Sequence, residues 1–216
     1  MSKPVTKPKT GFDPELHRYT LDGRIIPHVS LILAATGISP DWRKVDPIVL
    51  ERKRLLGTAL HKCLHFLQEN DLDESSVDPD VVPYLEGYKL FVKDTGFVAQ
   101  QVEVRRWPEI NGMPYGGTLD VVGMLWHEPA LVDFKSTSNS PLPSWGVQLS
   151  AYEQGIEPPL VPPFRYRRYS LQLLNTGKYQ LTEWTDPSDL GVFKWALALT
   201  WWKINHGNEP WLKESV

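Results

Sequence analysis

The sequence predicts an α/β protein, with a central mixed sheet flanked by helices and a hairpin and helices added on its N-terminal side. Three observations carry this. Leu56, Leu60, Leu64 and Leu67 recur at three- and four-residue steps, the spacing of one helix face. Residues 97–135 then switch to short alternating or apolar runs, the pattern of strands. Helical spacing returns at 144–154 and again after Asp186, with two strand runs between. Helices, three strands, helix, strands, helix is the order of one layered α/β unit. A chain of 216 residues can bury one substantial core. Residues 11–216 therefore read as a single domain, behind a flexible arm at 1–10 that holds two Lys-Pro pairs.

Taken in order, residues 12–30 give two short alternating runs around Asp22-Gly23, a strong hairpin signal. Ser30 is placed to cap a short helix through Leu31, Ile32, Leu33 and Ala35, closed by Gly37. Asp46 followed by Pro47 reads as an N-cap with proline at the first helical position, opening a helix to about Glu69. Gly57, Thr58 and His61 interrupt its leucine stripe on an adjoining face. A glycine inside a helix costs ~1 kcal/mol against alanine, which points to close approach by another group. Residues 69–80 hold six acids and no Lys or Arg, as a surface linker would. A third helix spans 82–94 and stops near Gly96. Strands follow at 97–107, 115–124 and 131–135, the first two separated by a turn at 108–112. Pro141 and Pro143 precede a helix at 144–154, on which Gln148 and Tyr152 share a face. The proline-rich stretch 157–163 is expected to be stiff and exposed. Strands at 166–174 and 179–184 form a hairpin over Asn175-Thr176-Gly177. Asp186-Pro187 caps a last amphipathic helix through Leu190, Phe193, Leu197, Trp201 and Ile204, and the nine tryptophans read as mostly core.

Hydrophobic and charged contents of 41% and 23% are ordinary for a soluble globular protein. The single cysteine, Cys63, excludes an internal disulfide, a Cys-based zinc site or an iron–sulfur cluster, and fits a reducing compartment. No apolar run approaches ~18 residues and the first ten residues lack an apolar signal core, so no membrane partner is expected and the placement is cytoplasmic. Net charge is −3, yet without the six acids of 69–80 the remainder carries 20 acids against 23 Lys and Arg. Basic clusters stand at Arg52-Lys53-Arg54 and around Arg165, Arg167 and Arg168. Local patches, not overall charge, govern phosphate contacts, so charge neither argues for nor against nucleic acid.

Two strand runs carry acids where a buried strand should have none. Asp120 follows Gly116-Gly117-Thr118-Leu119, and Asp133 and Lys135 flank Phe134 directly after Ala130-Leu131-Val132. Alternate strand residues share a face, so Asp133 and Lys135 point together while Phe134 points to the opposite layer. If the two runs are neighbours, both carboxylates and the ammonium converge. An acid pair is costly to desolvate unless its charge is offset, and a divalent cation offsets it. Mg²⁺ or Mn²⁺ suits carboxylate oxygens, here Asp120 and Asp133 with the Phe134 carbonyl; His61 adds an imidazole, which Mn²⁺ accepts more readily. Lys135 is placed to orient a water or neutralise a phosphate, and Glu103 to hold a second metal or its water. Such a set suits phosphodiester hydrolysis.

The segments GxxLH at 57–61, GGTLD at 116–120, VDFK at 132–135 and QLSAY at 148–152, in that order, resemble the motif series of RecB-like nucleases of the PD-(D/E)XK superfamily. The similarity is to phage-type and mitochondrial-genome-maintenance-type exonucleases and spans roughly residues 57–152. The resemblance implies a restriction-endonuclease-like core and a DNA exonuclease acting in replication, repair or phage recombination, in a bacterial or phage-infected host cell. It implies that His61, Asp120 and Asp133 bind the metal, that Lys135 is the catalytic lysine, and that Gln148 and Tyr152 line the site. Glu103 sits where several relatives keep an acid. A single-strand annealing or replication protein is the implied partner beside DNA ends, single- or double-stranded. Relatives with an iron–sulfur cluster use four cysteines, which this chain lacks.

Plainer readings stand beside these. His61 is otherwise a core or surface histidine, Asp120 a turn residue, Lys135 a lysine at a strand end, and Gln148 and Tyr152 a polar helix face. His17 and His28 read as structural. A DNA-binding or partner-docking protein without turnover is the alternative function, and a Trp-rich glycan-binding module a third.

Overall fold

The computed structural model describes residues 8–40, 45–160 and 164–210. Thr10–Asp13 (β1), Arg18–Leu21 (β2) and Arg24–Ile26 (β3) form an antiparallel meander. Asp22 and Gly23 both take positive φ, 49° and 78°, as a two-residue type I′ hairpin requires. The expected hairpin thus gains a third strand, and it begins inside the expected arm. The Lys9 amide donates to Asp22 Oδ1 at 2.8 Å, so the chain is pinned from there on; residues 1–7 lie outside the described ones.

Val29–Ala35 (α1) is capped not by Ser30 but by His28, whose Nδ1 accepts from the Leu31 amide at 3.4 Å. The reason is tertiary. Gly116 donates to Pro27 and accepts from Val29, which holds His28 extended and starts the helix two residues early. Pro47–Gln68 (α2) opens on the Asp46 cap as the sequence indicates. The acidic linker contains one 3₁₀ turn, Glu74–Ser76, before Val82–Thr95 (α3) ends on Gly96 at φ 66°.

Val98–Arg106 (β4) comes next, and the expected turn at 108–112 is itself a small hairpin, Glu109–Ile110 (β5) with Met113–Pro114 (β6), closed by Asn111-Gly112 at positive φ. Gly117–Leu125 (β7), Glu128–Lys135 (β8), Pro143–Glu153 (α4), Arg167–Leu173 (β9), Tyr179–Glu183 (β10) and Asp189–Asn205 (α5) complete the chain. Of the proline-rich loop, residues 161–163 lie outside the described ones.

The main sheet runs β10-β9-β8-β7-β4. Only β8 and β9 are parallel, with α4 as the crossover a parallel pair needs, so the sheet is mixed as expected. Two cores flank it. Leu60, Leu64, Leu85, Tyr88 and Phe91 of α2 and α3 cover one face; Val147, Leu149, Phe193 and Leu197 of α4 and α5, with Ile32 of α1, cover the other. Two expectations change. α5 begins at Asp189, after Asp186 Oδ1 has accepted from the Ser188 amide. It also buries Phe193 and Leu197 of the predicted stripe while leaving Trp195 and Trp202 exposed. Among the described residues Trp126 is exposed too and only Trp145 is buried, so the tryptophans are not mostly core. Among the described residues no helix is long and apolar enough to cross a membrane.

Candidate active site at the sheet margin

The β7–β8 ladder stops at Val121 paired with Val132. The next pair would set Asp120 opposite Asp133. Instead the strands splay, and the Phe134 amide, left without a ladder acceptor, donates to Asp120 Oδ2 at 2.6 Å. The alternation of β7 inverts at the same place: Leu119 packs with the α4–α5 core and Val121 with the α2–α3 core. On β4, Val102 pairs with Val121 and Val104 with Leu119, so Glu103 falls in the Asp120 row, with φ at +45°. A non-glycine residue there marks a local irregularity that re-aims side chains. Asp120 therefore fills the gap between parting strands, which simple alternation does not foresee.

Around that gap four elements meet. His61, from α2, brings Nδ1 to 3.0 Å of Asp120 Oδ1. Lys135 ion-pairs with Asp133 on the same face of β8, as the two-residue spacing requires. Lys135 Nζ also donates to Gln148 Oε1 at 3.0 Å, and Gln148 Nε2 donates to the Tyr152 hydroxyl at 2.9 Å. Both α4 residues lie one turn apart on one face. Two glycines make room. A Cβ on Gly117 would lie 2.9 Å from the Tyr152 ring, and one on Gly116 would overlap the Tyr19 ring. Gly57 is different: a Cβ there would meet only Ser136 Oγ, at an ordinary 3.6 Å, so no steric need for glycine exists at that helix position.

The electrostatics are uneven. Asp133 is 4% exposed, whereas the His61 side chain keeps 38% of its surface open. Burial pushes the Asp120 carboxyl up, but the His61 imidazole, the Phe134 amide and Lys135 outweigh it and hold the group below the usual carboxylate range. Burial, only partly offset by Lys135, and the neighbouring Asp120 push Asp133 above that range. The Asp120 carboxylate, working against burial, lifts the His61 imidazole above its ordinary value. Burial and the charge of Asp133 raise the Tyr152 phenol, so it keeps its proton.

Of the residues singled out in the sequence, His61, Asp120, Asp133, Lys135, Gln148 and Tyr152 are brought together, and Phe134 joins them through its amide. Glu103 lines a small cleft with His61 and Asp120, but its carboxylate is paired with Arg105 at 2.6 Å. Three residues were missed. Trp145 lies under Lys135, its ring centroid 5.6 Å from Nζ, and its position three residues before Gln148 could have revealed it. Thr118, two before Asp120, hydrogen-bonds Tyr19 from the distant meander. No sequence signal ties Tyr19 to Thr118 across 99 positions.

Fold and site together define a mixed-sheet α/β domain with a carboxylate–lysine cluster at the sheet margin. No protein-family model and no curated relative matches the chain. Among solved structures it is similar to the alkaline exonuclease LHK-Exo from Laribacter hongkongensis, at 14% identity over 60% of this chain and 68% of that one, with a TM-score of 0.42. It is also similar to LHK-Exo in complex with dAMP, at 12% identity over 85% and 89% of the two chains and a TM-score of 0.46. A third similar structure is SSO0001, at 14% identity, 68% and 74% coverage and a TM-score of 0.37.

Proposed function

We propose that this chain is a divalent-metal-dependent deoxyribonuclease of the RecB-like PD-(D/E)XK type, acting as an exonuclease on DNA ends in replication, repair or recombination. The observation that carries the reading is the meeting of His61, Asp120, Asp133 and Lys135 from three elements at the point where β7 and β8 part. Among the described residues no three His, Cys, Asp or Glu side chains are gathered as a ready cage for a metal. His61 is instead paired with Asp120 and Lys135 with Asp133. The donor set nevertheless fits Mg²⁺ or Mn²⁺: two carboxylates, one of them the buried Asp133 whose Oδ2 meets the Lys135 ammonium, and one imidazole. Asp120, Asp133, His61 and the Phe134 carbonyl would hold it. The ion, when bound, supplies Lewis-acid polarisation of the phosphate and a more acidic water.

The protein's own groups do the rest. Asp133 anchors Lys135 at the site where a phosphate would lie, and Gln148 fixes where its Nζ points. Tyr152, protonated and already accepting from Gln148, has its proton free for a phosphate oxygen. The test is incubation of 5′- and 3′-labelled linear DNA and a closed circle with Mg²⁺ or Mn²⁺. Linear DNA should be degraded from an end and the circle spared, and Asp120→Asn or Lys135→Ala should remove the activity. Tight binding of DNA with no cleavage of any end would leave a silent DNA-binding protein instead. Activity that survives both substitutions or needs no metal would sink the assignment.

A further inference from the structure

Along the outer side of α5 run Val192, Trp195, Leu199 and Trp202, followed by His206, whose ring stacks on Trp202 at 4.4 Å. Steps of three, four, three and four are those of the a and d positions in a heptad. The inner side of the helix is already engaged. Phe193, Ala196, Leu197 and Thr200 are buried, Trp201 Nε1 donates to the Pro114 carbonyl and Lys203 Nζ to that of Ala35. α5 is thus apolar around its circumference, which is the composition of a helix buried on all sides. Yet Trp195 is 80% exposed and Trp202 59%.

Charge and area select the occupant. Only Lys194 carries a full charge among the exposed residues of α5. That is too little for a phosphate backbone, which binds rows of Lys and Arg, or for an interfacial helix with a basic flank. With ~250 Å² for a whole Trp side chain, the two exposed tryptophans offer about 350 Å² together. Leu199 and Val192 bring the patch to roughly 450–500 Å². Doubled across a self-contact this is roughly 900–1,000 Å², at the threshold for a biological interface and below the ~1,200–2,000 Å² of a stable one, the area of a weak, concentration-dependent dimer. We propose that α5 packs against α5 of a second copy of this chain, in an antiparallel two-fold contact centred on Leu199. Such a contact closes on itself and pairs Trp195 of each copy with the Trp202 region of the other. Lys194 lies five residues before the centre, so the antiparallel arrangement keeps the two ammonium groups ~15 Å apart, beyond the screening length; a parallel one sets them abreast.

The test is sedimentation of the full chain up to ~100 µM, well above the dissociation constant of an ordinary dimer. A dimer is expected, and Trp195→Glu or Leu199→Glu should each weaken it by ~30-fold or more, as truncation of a central anchor does. Leu199→Met should keep it. Melting temperature measured at concentrations where the parent is a monomer should not change, because both residues are exposed in the protomer, and cleavage per protomer should be unaltered, so the outcome is independent of the nuclease reading. A monomer at the highest concentration, or a dimer indifferent to both Glu substitutions, overturns the proposal. So does a monomer whose DNA binding alone falls on Leu199→Glu, which would assign the face to another partner.

Discussion

The protein buries charge in two places, and the two differ in how their acids respond. Around Arg168 the guanidinium ion-pairs with Asp189 at 3.3 Å, approaches Glu153 at 4.0 Å and donates to the carbonyls of Gly146 and Asp186. Burial moves Glu153 and Asp189 the same way, upward, and Arg168 opposes both shifts. The cluster ties β9 to α4 and α5, and its acids play one role. At the margin of β7 and β8 the two acids are driven apart, Asp120 downward and Asp133 upward. Unequal neighbours create that split: the Phe134 amide and His61 bond directly to Asp120, whereas His61 acts on Asp133 only as a minor, longer-range charge. A pair of like groups given unlike proton affinities is the arrangement that acid–base and electrostatic chemistry needs, whereas a tie between elements gains nothing from it.

The sharpest way to break this contrast is to neutralise one group in each cluster. Asp133→Asn removes a buried charge but leaves Lys135 its Gln148 contact, so DNA cleavage should fall by ~10³-fold or more with a smaller loss of stability than Arg168→Met causes. A parallel loss of stability and activity, seen by melting and by product release, would make Asp133 a structural acid. Arg168→Met should do the reverse. It strands Glu153 and Asp189, and breaking a buried pair from one side costs about 3–5 kcal/mol. Denaturant titration should show that loss, with cleavage by the folded fraction within a few-fold of the parent.

Half of the margin cluster was legible because its parts are local. Two-residue spacing puts Asp133 and Lys135 on one face, and four-residue spacing puts Gln148 beside Tyr152. Asp120 was identified as a residue but not in its position, because the inversion at Leu119–Val121 arises from strands splaying, a tertiary event without a sequence period. The α1 cap went to Ser30 for the same reason: the Gly116 bridge that straightens His28 comes from a strand nearly ninety residues away. For α5 the stripe read from the sequence, with Phe193 and Leu197, is the one turned inward, while the second stripe through Trp195 and Trp202 was taken as core.

His28 extends the comparison to a buried ionisable group with no counter-charge. Burial, reinforced by neighbouring His17, lowers its imidazole to about 3. The unfolded chain takes up a proton near pH 6.5 that the folded chain refuses, so the stability is intact above that pH and is lost as pH falls from about 6.5 toward 3. At pH 4.5 the loss should be roughly 2–3 kcal/mol relative to neutral pH. His28→Asn keeps a capping acceptor. Its melts should start lower at pH 7 through lost ring packing and show a flatter dependence between pH 7 and 4.5. An unchanged slope would move the acid sensitivity elsewhere.

The smallest effect separates a hydroxyl from a ring. Tyr152 packs its ring on Gly117 and offers its hydroxyl to Gln148, which in turn holds Lys135. Tyr152→Phe keeps the ring and deletes one donor, leaving the Gln148 amide N–H unpaired at a partly open site. If the phenol only steadies Gln148, Lys135 keeps its other contact on Asp133 and cleavage should fall by less than ~3-fold. If the phenol donates to phosphate, the loss should be about 10-fold or more and appear in kcat with KM little changed, because the bond tightens as charge develops. Gln148→Ala is the control that distinguishes the cases. In the first it should cost more than Tyr152→Phe, with the double substitution no worse than Gln148→Ala alone; in the second its full effect should add to that of Tyr152→Phe, since Lys135 then wanders in both. Measured as a double-substitution cycle, a coupling close to zero would place Tyr152 on the substrate, and one as large as the single effects would place it behind Gln148.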